Sequence, residues 1–196
     1  MSISSDIEHP KFEQIVSTAK DLFYRFGIKR VTVEEICQTA GVSKMTFYKF
    51  FSNKLDLAKY LLNSIFDTAI QEYSDIIESH NPFPSKLKEL IDLKRRNTEQ
   101  IGTEFIAELL QNPEPEIAEI YKTQRERSLN LTMDFLKRAK DTGDIRPDMK
   151  LEFILWFLNK MLDMSTDEYL NQLYQTPQQL ALEMTNFFFY GILNRD

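Results

Sequence analysis

The sequence predicts an all-α protein of about nine helices, a three-helix head followed by a larger helical-bundle body. Three observations carry this reading. Only five glycines occur in 196 residues. No turn dipeptide links two alternating apolar runs, so no β-hairpin is signalled. Apolar residues instead recur at 3.6-residue spacing over long stretches, the signature of amphipathic helices.

The first helix is expected from Pro10, a favourable first helical residue, to Phe26, with Ile15, Ala19, Leu22, Phe23 and Phe26 inward and Gly27 as its stop. Thr32 then serves as an N-cap, and Glu35 three residues later completes a capping box. Ile36 and Ala40 share a face of this short second helix, and Gly41 supplies the left-handed residue that ends it. Val42 is a buried plug. Ser43 caps a third helix that runs from Lys44 to about Phe51. Two short helices joined by a tight glycine turn form a helix-turn-helix, whose second helix enters the DNA major groove.

A fourth helix begins with Asn53 as N-cap and Asp56 near its positive end, and continues to about Ser79. Asn81-Pro82-Phe83-Pro84 and Asn112-Pro113-Glu114-Pro115 break the chain. A single helix is expected between these breaks, with Leu87, Leu90, Ile91, Ile101, Phe105 and Leu109 inward. Another runs from Pro115 to about Thr142 and stops at Gly143. The last two span roughly Met149–Tyr174 and Pro177–Asn194, the final one opened by Thr176-Pro177-Gln178-Gln179. The functional division is expected at 52/53, with residues 1–52 as the DNA-binding domain and 53–196 as a ligand-binding and dimerisation domain.

These last two helices are apolar on two faces each. Leu151, Ile154, Leu155, Leu158 and Leu162 oppose Phe153, Trp156, Phe157 and Met164. Leu180, Met184, Phe187 and Gly191 oppose Ala181, Thr185, Phe188, Phe189 and Ile192. A two-faced apolar helix needs burial on both sides. The face Leu180, Met184, Phe187 and Gly191 is expected to form a homodimer interface; the alternative is a monomer with both helices central in its bundle.

The pattern Leu22-Phe23, Gly27, Thr32, Ile36, Ala40-Gly41-Val42-Ser43, Phe47-Tyr48, Phe51, Lys54 and Leu57 resembles the TetR family of bacterial transcription regulators. The match covers roughly the first third of the chain. Beyond it only length, helical character and Gly143-Asp144-Ile145-Arg146-Pro147-Asp148 correspond. The resemblance implies a dimer held by the last two helices, with Lys49 and Lys54 at phosphates. One departure is Phe50, where relatives often carry His or Tyr. Cys37 stands where relatives usually have alanine, which suits a small buried side chain better than a redox sensor.

Charge supports nucleic-acid binding once it is divided. The chain carries −6 overall, yet residues 9–60 hold nine Lys/Arg against five Asp/Glu, while residues 61–196 hold 15 against 23. A basic head on an acidic body puts phosphate attraction at one end. The lone cysteine forms no internal bridge and fits a reducing compartment. The polar, acidic start is unlike a signal peptide, and Phe187–Leu193 is far too short to span a bilayer, so a cytoplasmic protein is expected.

Within the third helix, Lys44, Met45 and Thr46 occupy the first turn, which meets base edges: Lys44 to guanine, Met45 and Thr46 to thymine methyls. Tyr48, Lys49 and Lys54 are expected at phosphates, and Thr32 and Ser43 cap their helices while offering hydroxyls or amides to the DNA backbone. The expected partners are palindromic double-stranded operator DNA, a second copy of the chain and a small, largely apolar or amphipathic effector. Phe66, Ile101, Phe105, Met133 and Trp156 are candidates to line the effector pocket, with Trp156 pointing inward. The function expected is a ligand-responsive repressor; a constitutive or corepressor-dependent regulator, with a body that serves mainly for dimerisation, is the alternative. An enzyme is disfavoured. His9 and His80 stand in no metal-ligand spacing, and no Walker A, GxGxxG or GxSxG motif occurs; no cofactor or metal is expected. A helical module binding a protein partner through the basic head is the third class.

Overall fold

The computed structural model describes residues 9–111, 113–165 and 167–193, and the side chains at 162, 163, 165 and 168 fall outside that description, Leu162 of the expected stripe among them. Ten α-helices make up the described chain: α1 Pro10–Phe26, α2 Val33–Ala40, α3 Lys44–Phe50, α4 Lys54–Glu78, α5 Phe83–Thr98, α6 Thr103–Leu110, α7 Pro115–Asp141, α8 Leu151–Ser165, α9 Glu168–Leu173 and α10 Pro177–Ile192. No strand occurs among the described residues; a lone antiparallel bridge joins Ile145 to Leu193.

Helix ends fall where the caps place them. The Thr32 hydroxyl accepts from the Glu35 amide at 3.1 Å, and the Ser43 hydroxyl from Thr46 at 3.1 Å. Asn53 accepts from the Asp56 amide at 2.9 Å while the Asp56 carboxylate accepts from Ser52 at 3.0 Å, a reciprocal box at the start of α4. Gly41 ends α2 in the left-handed region, φ 67°, with its own amide on the Gln38 carbonyl and that of Val42 on Cys37. At α10, Thr176 accepts from Gln179 and the Gln179 side chain accepts from Gln175.

Two expected helices are each divided in the structure. The stretch after Pro84 breaks between Thr98 and Thr103, giving α5 and α6. At this break the Gly102 amide donates to the Tyr24 carbonyl of α1 at 2.7 Å, a tertiary bond that overrides helix periodicity. The stretch from 149 to 174 breaks near Asp167, whose carboxylate caps α9 by accepting from Leu170 at 2.9 Å.

Packing gathers the chain into two compact units. The first combines residues up to Asp67 with Gln100–Lys122, and the second combines Thr68–Glu99 with Thr123 onward. The core of the first is built on Ile15, Ala19, Phe23, Val31, Ile36, Phe47, Leu57 and Ala58, all fully enclosed, with Phe105 of α6 and Ile117 of α7 packed among them. The second core is Ile77, Phe83, Leu87, Leu90, Phe135, Leu136, Ile145, Ile154, Phe188, Phe189 and Ile192.

Candidate nucleic-acid interface

The recognition helix is held from beneath by aromatic packing. Phe47 is fully buried, and Phe51 stacks on Phe12 of α1 with ring centroids 5.4 Å apart. Phe50 joins the same cluster, edge-on to Phe12 at 5.5 Å and tilted against the His9 ring at 5.3 Å. An aromatic at 50 therefore serves packing here rather than a polar DNA contact. Anchoring Phe47 and Phe51 inward turns the opposite face of α3 outward. Met45 is 71% exposed and Tyr48 55%, although apolar side chains of that size are ordinarily covered.

Lys44 and Lys49 are exposed on the same helix. Lys44 pairs with Glu34 of α2 at 3.2 Å, both side chains more than half exposed. Such a pair contributes about 0–1 kcal/mol, so a phosphate or guanine displaces Glu34 at small cost. Thr46 is half-buried with its hydroxyl 2.9 Å from that of Ser43, which leaves chiefly its methyl group for a base. Thr32 and Ser43 are exposed and act as caps.

Lys54 departs from its expected role. Its ammonium donates to the carbonyls of Ile28, Lys29 and Val31 at 2.6, 2.9 and 2.7 Å, and an ammonium has three N–H bonds. Nothing is left to clamp a phosphate. Lys54 instead closes the loop between α1 and α2. Burial pulls its pKa below the ordinary lysine value, and the carboxylates of Glu108 and Glu114 oppose that shift.

The same loop is held from its other side by Glu108 of α6, which sequence reasoning missed. Its carboxylate accepts from the Ile28 amide at 2.6 Å and from Lys29 at 3.1 Å. Gly27 makes room for it: φ is 79°, ψ is 162°, and a Cβ there would lie 2.5 Å from Glu108 Oε1. Eighty residues separate Glu108 from Ile28, so no local signal could pair them.

Cys37 is buried, and burial pushes its thiol pKa up more strongly than nearby Lys44 lowers it. A protonated, enclosed thiol is a poor redox centre.

In the second unit, the expected pocket and interface residues are partly rearranged. Trp156 is 57% exposed and does not point inward as expected. It stacks on Phe153, itself 51% exposed, so an outward indole has an apolar ring beside it rather than a cavity. Met133 packs at the edge of the second core, whereas Phe66, Ile101 and Phe105 belong to the first, where Phe105 is enclosed. The crevice between Phe23, Tyr24, Leu61, Leu62 and Phe105 is filled by these side chains and leaves no room for a water molecule. On α10, Phe187 is 74% exposed and Gly191 is exposed, Met184 is half-buried, and Leu180 is enclosed within its own subunit. Leu180 thus leaves the expected interface set, and Tyr190, 60% exposed, enters it.

Among the described residues, no cluster of His, Cys, Asp and Glu could hold a metal ion, and no helix is long and apolar enough to cross a membrane.

A capped helix-turn-helix whose second helix presents Lys44, Met45, Tyr48 and Lys49 to solvent defines a DNA-binding class of protein. Residues 15–61 match the family described as bacterial regulatory proteins, tetR family. Over this helix-turn-helix region the chain is similar to TetR-family regulators. It is 38% identical over 55 residues to the HTH-type transcriptional regulator TtgR of Pseudomonas putida, a match spanning 28% of this chain and only 26% of that relative. YdeS of Bacillus subtilis is 29% identical over 141 residues, 70% of this chain and 69% of its own. The fold of E. coli NemR in its reduced form superposes with a TM-score of 0.72 at 14% identity, covering 96% of this chain and 99% of NemR.

Proposed function

We propose that the protein is a ligand-responsive transcriptional regulator, most simply a repressor, that binds a palindromic operator as a homodimer and leaves it when a small effector occupies the body. In this division of roles residues 1–52 read DNA and residues 53–196 bind the effector and the second subunit. The observation that carries the reading is the outward face of α3: large side chains and two lysines stand uncovered on a helix whose caps and inner face are fully satisfied. Lys44 and Met45 face base edges, Tyr48 and Lys49 face phosphates, and the half-buried Thr46 offers its methyl group. Selection of bound duplexes from a random pool tests it; enrichment of a symmetric site is expected, and a pool without one overturns the reading.

Within that complex Lys49→Ala should weaken binding about equally on all sequences and lower the salt slope by about one. Lys44→Ala should instead relax preference at one base pair, at a cost of about 1–3 kcal/mol there. Uniform loss from Lys44→Ala would reverse the assignment.

Dimerisation draws support from the uncovered apolar side chains of α8 and α10: Phe153, Leu155, Trp156, Phe187 and Tyr190. Aromatic residues in such number on one unit mark an association surface. Phe187→Glu should yield monomers in sedimentation while helical circular dichroism persists, and should abolish symmetric-site binding. A wild-type protein sedimenting as a monomer at micromolar concentration would refute the dimer.

A further inference from the structure

The recognition face carries an acid as well as its lysines. Glu34 is the second residue of α2 and Lys44 the first of α3, and the glycine turn between the two helices brings them together. Glu34 Oε2 lies 3.2 Å from Lys44 Nζ, with 73% of the Glu34 side chain and 55% of the Lys44 side chain open to solvent. Two other acids of the head are placed differently. Asp56 accepts from the Ser52 amide within the box that opens α4, and Glu35 is half-buried on the capped first turn of α2. Glu34 holds its charge in the open, at the end of α3 that meets base edges.

A carboxylate at that place works against phosphate binding. The head holds nine basic against five acidic residues, and each cancelled charge lowers its general attraction for DNA. The helix dipole accounts for an acid in the first turn of α2, but not for its reach across to α3. In the major groove a carboxylate can only accept, and the donors there are the amino groups of cytosine N4 and adenine N6. An acid so placed is repelled by DNA in general and gains only where an amino group meets it, which is how a residue discriminates between sites.

The spacing of the pair fits the edge of a base pair. In a G·C pair cytosine N4 donates to guanine O6, so these two groups lie about 2.9 Å apart. The 3.2 Å between Glu34 Oε2 and Lys44 Nζ is close to that distance. Lys44 can therefore donate to O6 while Glu34 accepts the second N4 hydrogen, the one that faces the groove. Glu34 gives up Lys44 cheaply to a phosphate, but on this edge neither charge loses its partner. An A·T pair also sets a donor beside an acceptor, adenine N6 beside thymine O4. Guanine is favoured because its N7 gives the ammonium a second acceptor, whereas thymine O4 is flanked by a methyl group.

We propose that Glu34 and Lys44 read one G·C pair of the operator half-site as a unit, with Lys44 on guanine O6 and N7 and Glu34 on the cytosine amino group. The proposal rests on the DNA-binding reading above, and it makes α2 as well as α3 a determinant of specificity.

The test is titration of the full chain and its variants on the selected duplex and on its complete set of single-base-pair substitutions. Glu34→Ala and Lys44→Ala should each flatten the preference at the same G·C pair by roughly ten-fold, the size of one charge-assisted hydrogen bond. The double variant should flatten it little further, because the two residues act on one pair together. Glu34→Gln keeps an acceptor oxygen without the charge and should retain part of the preference. N4-methylcytosine at that position preserves base pairing and puts a methyl group in place of the groove-facing hydrogen. The wild type should bind this duplex roughly ten-fold more weakly, whereas Glu34→Ala should not distinguish it from the unmodified one. A Glu34→Ala variant that changes affinity equally on every duplex, or that relaxes an A·T pair instead, overturns the proposal. So does a wild type indifferent to the added methyl group. A random pool with no enriched symmetric site overturns the regulator reading and this proposal together. An enriched site at which Glu34→Ala keeps every preference overturns this proposal alone.

Discussion

Lys54→Met should cost the first unit about 2–4 kcal/mol of stability while leaving the salt dependence of DNA binding nearly unchanged. Three backbone carbonyls, those of Ile28, Lys29 and Val31, lose their donor together. Hydrogen bonds from a charged donor contribute about 1.5–3 kcal/mol each, and the cost of sheltering the ammonium, visible in its lowered pKa, offsets part of that sum. The loop they form leads directly into Thr32, the cap of α2, so its loosening also shifts the helix-turn-helix and weakens DNA binding on every sequence. Urea denaturation and operator titration over a range of salt separate the two possibilities. A stability loss below about 0.5 kcal/mol, or a salt slope reduced by a full unit, would return Lys54 to the phosphate contacts that its sequence position suggested.

That case shows which features the sequence made legible. Caps were readable because they are local: Thr32 with Glu35, Ser43 ahead of Lys44, Asn53 with Asp56 and Thr176 with Gln179 each act within four residues. The anchors Phe47 and Phe51 stand four residues apart and so fall on one face of the recognition helix. The destination of a long flexible side chain did not follow, since Lys54 reaches residues 23–26 positions earlier in the chain. Glu108 was invisible for the same reason over a longer interval. The two-faced patterns of α8 and α10 showed that both faces are apolar but not which one turns inward. Packing of Ile154 and Phe188 into the core decided that, and it left Trp156 and Phe187 outside. Gly102 sat inside an otherwise continuous helical pattern, where a lone glycine is tolerated, so the break between α5 and α6 had no sequence mark.

Gly102→Ala should be as damaging as the loss of Lys54, from a position far outside the helix-turn-helix. A Cβ at 102 would lie 2.5 Å from the Tyr24 carbonyl oxygen and 3.2 Å from that of Arg25, both backbone atoms in the last turn of α1. Neither can yield as a flexible side chain would, so α6 must retreat from α1. Overpacking of this kind costs about 1–3 kcal/mol. The retreat also stretches the 2.7 Å bond from the Gly102 amide to Tyr24 and pulls Glu108, a turn and a half further along, off the amides of Ile28 and Lys29. A combined loss of about 2–4 kcal/mol is expected, with weaker operator binding and faster hydrogen exchange at Ile28 and Lys29. Glu108→Gln separates the contributions. It keeps an acceptor for the amides but removes the charge, so it should lose less stability than Gly102→Ala and retain slow exchange at Ile28. If Gly102→Ala unfolds at the wild-type urea concentration with both amides still protected, α6 is not what holds the loop, and the clamp on residues 27–31 belongs to Lys54 alone.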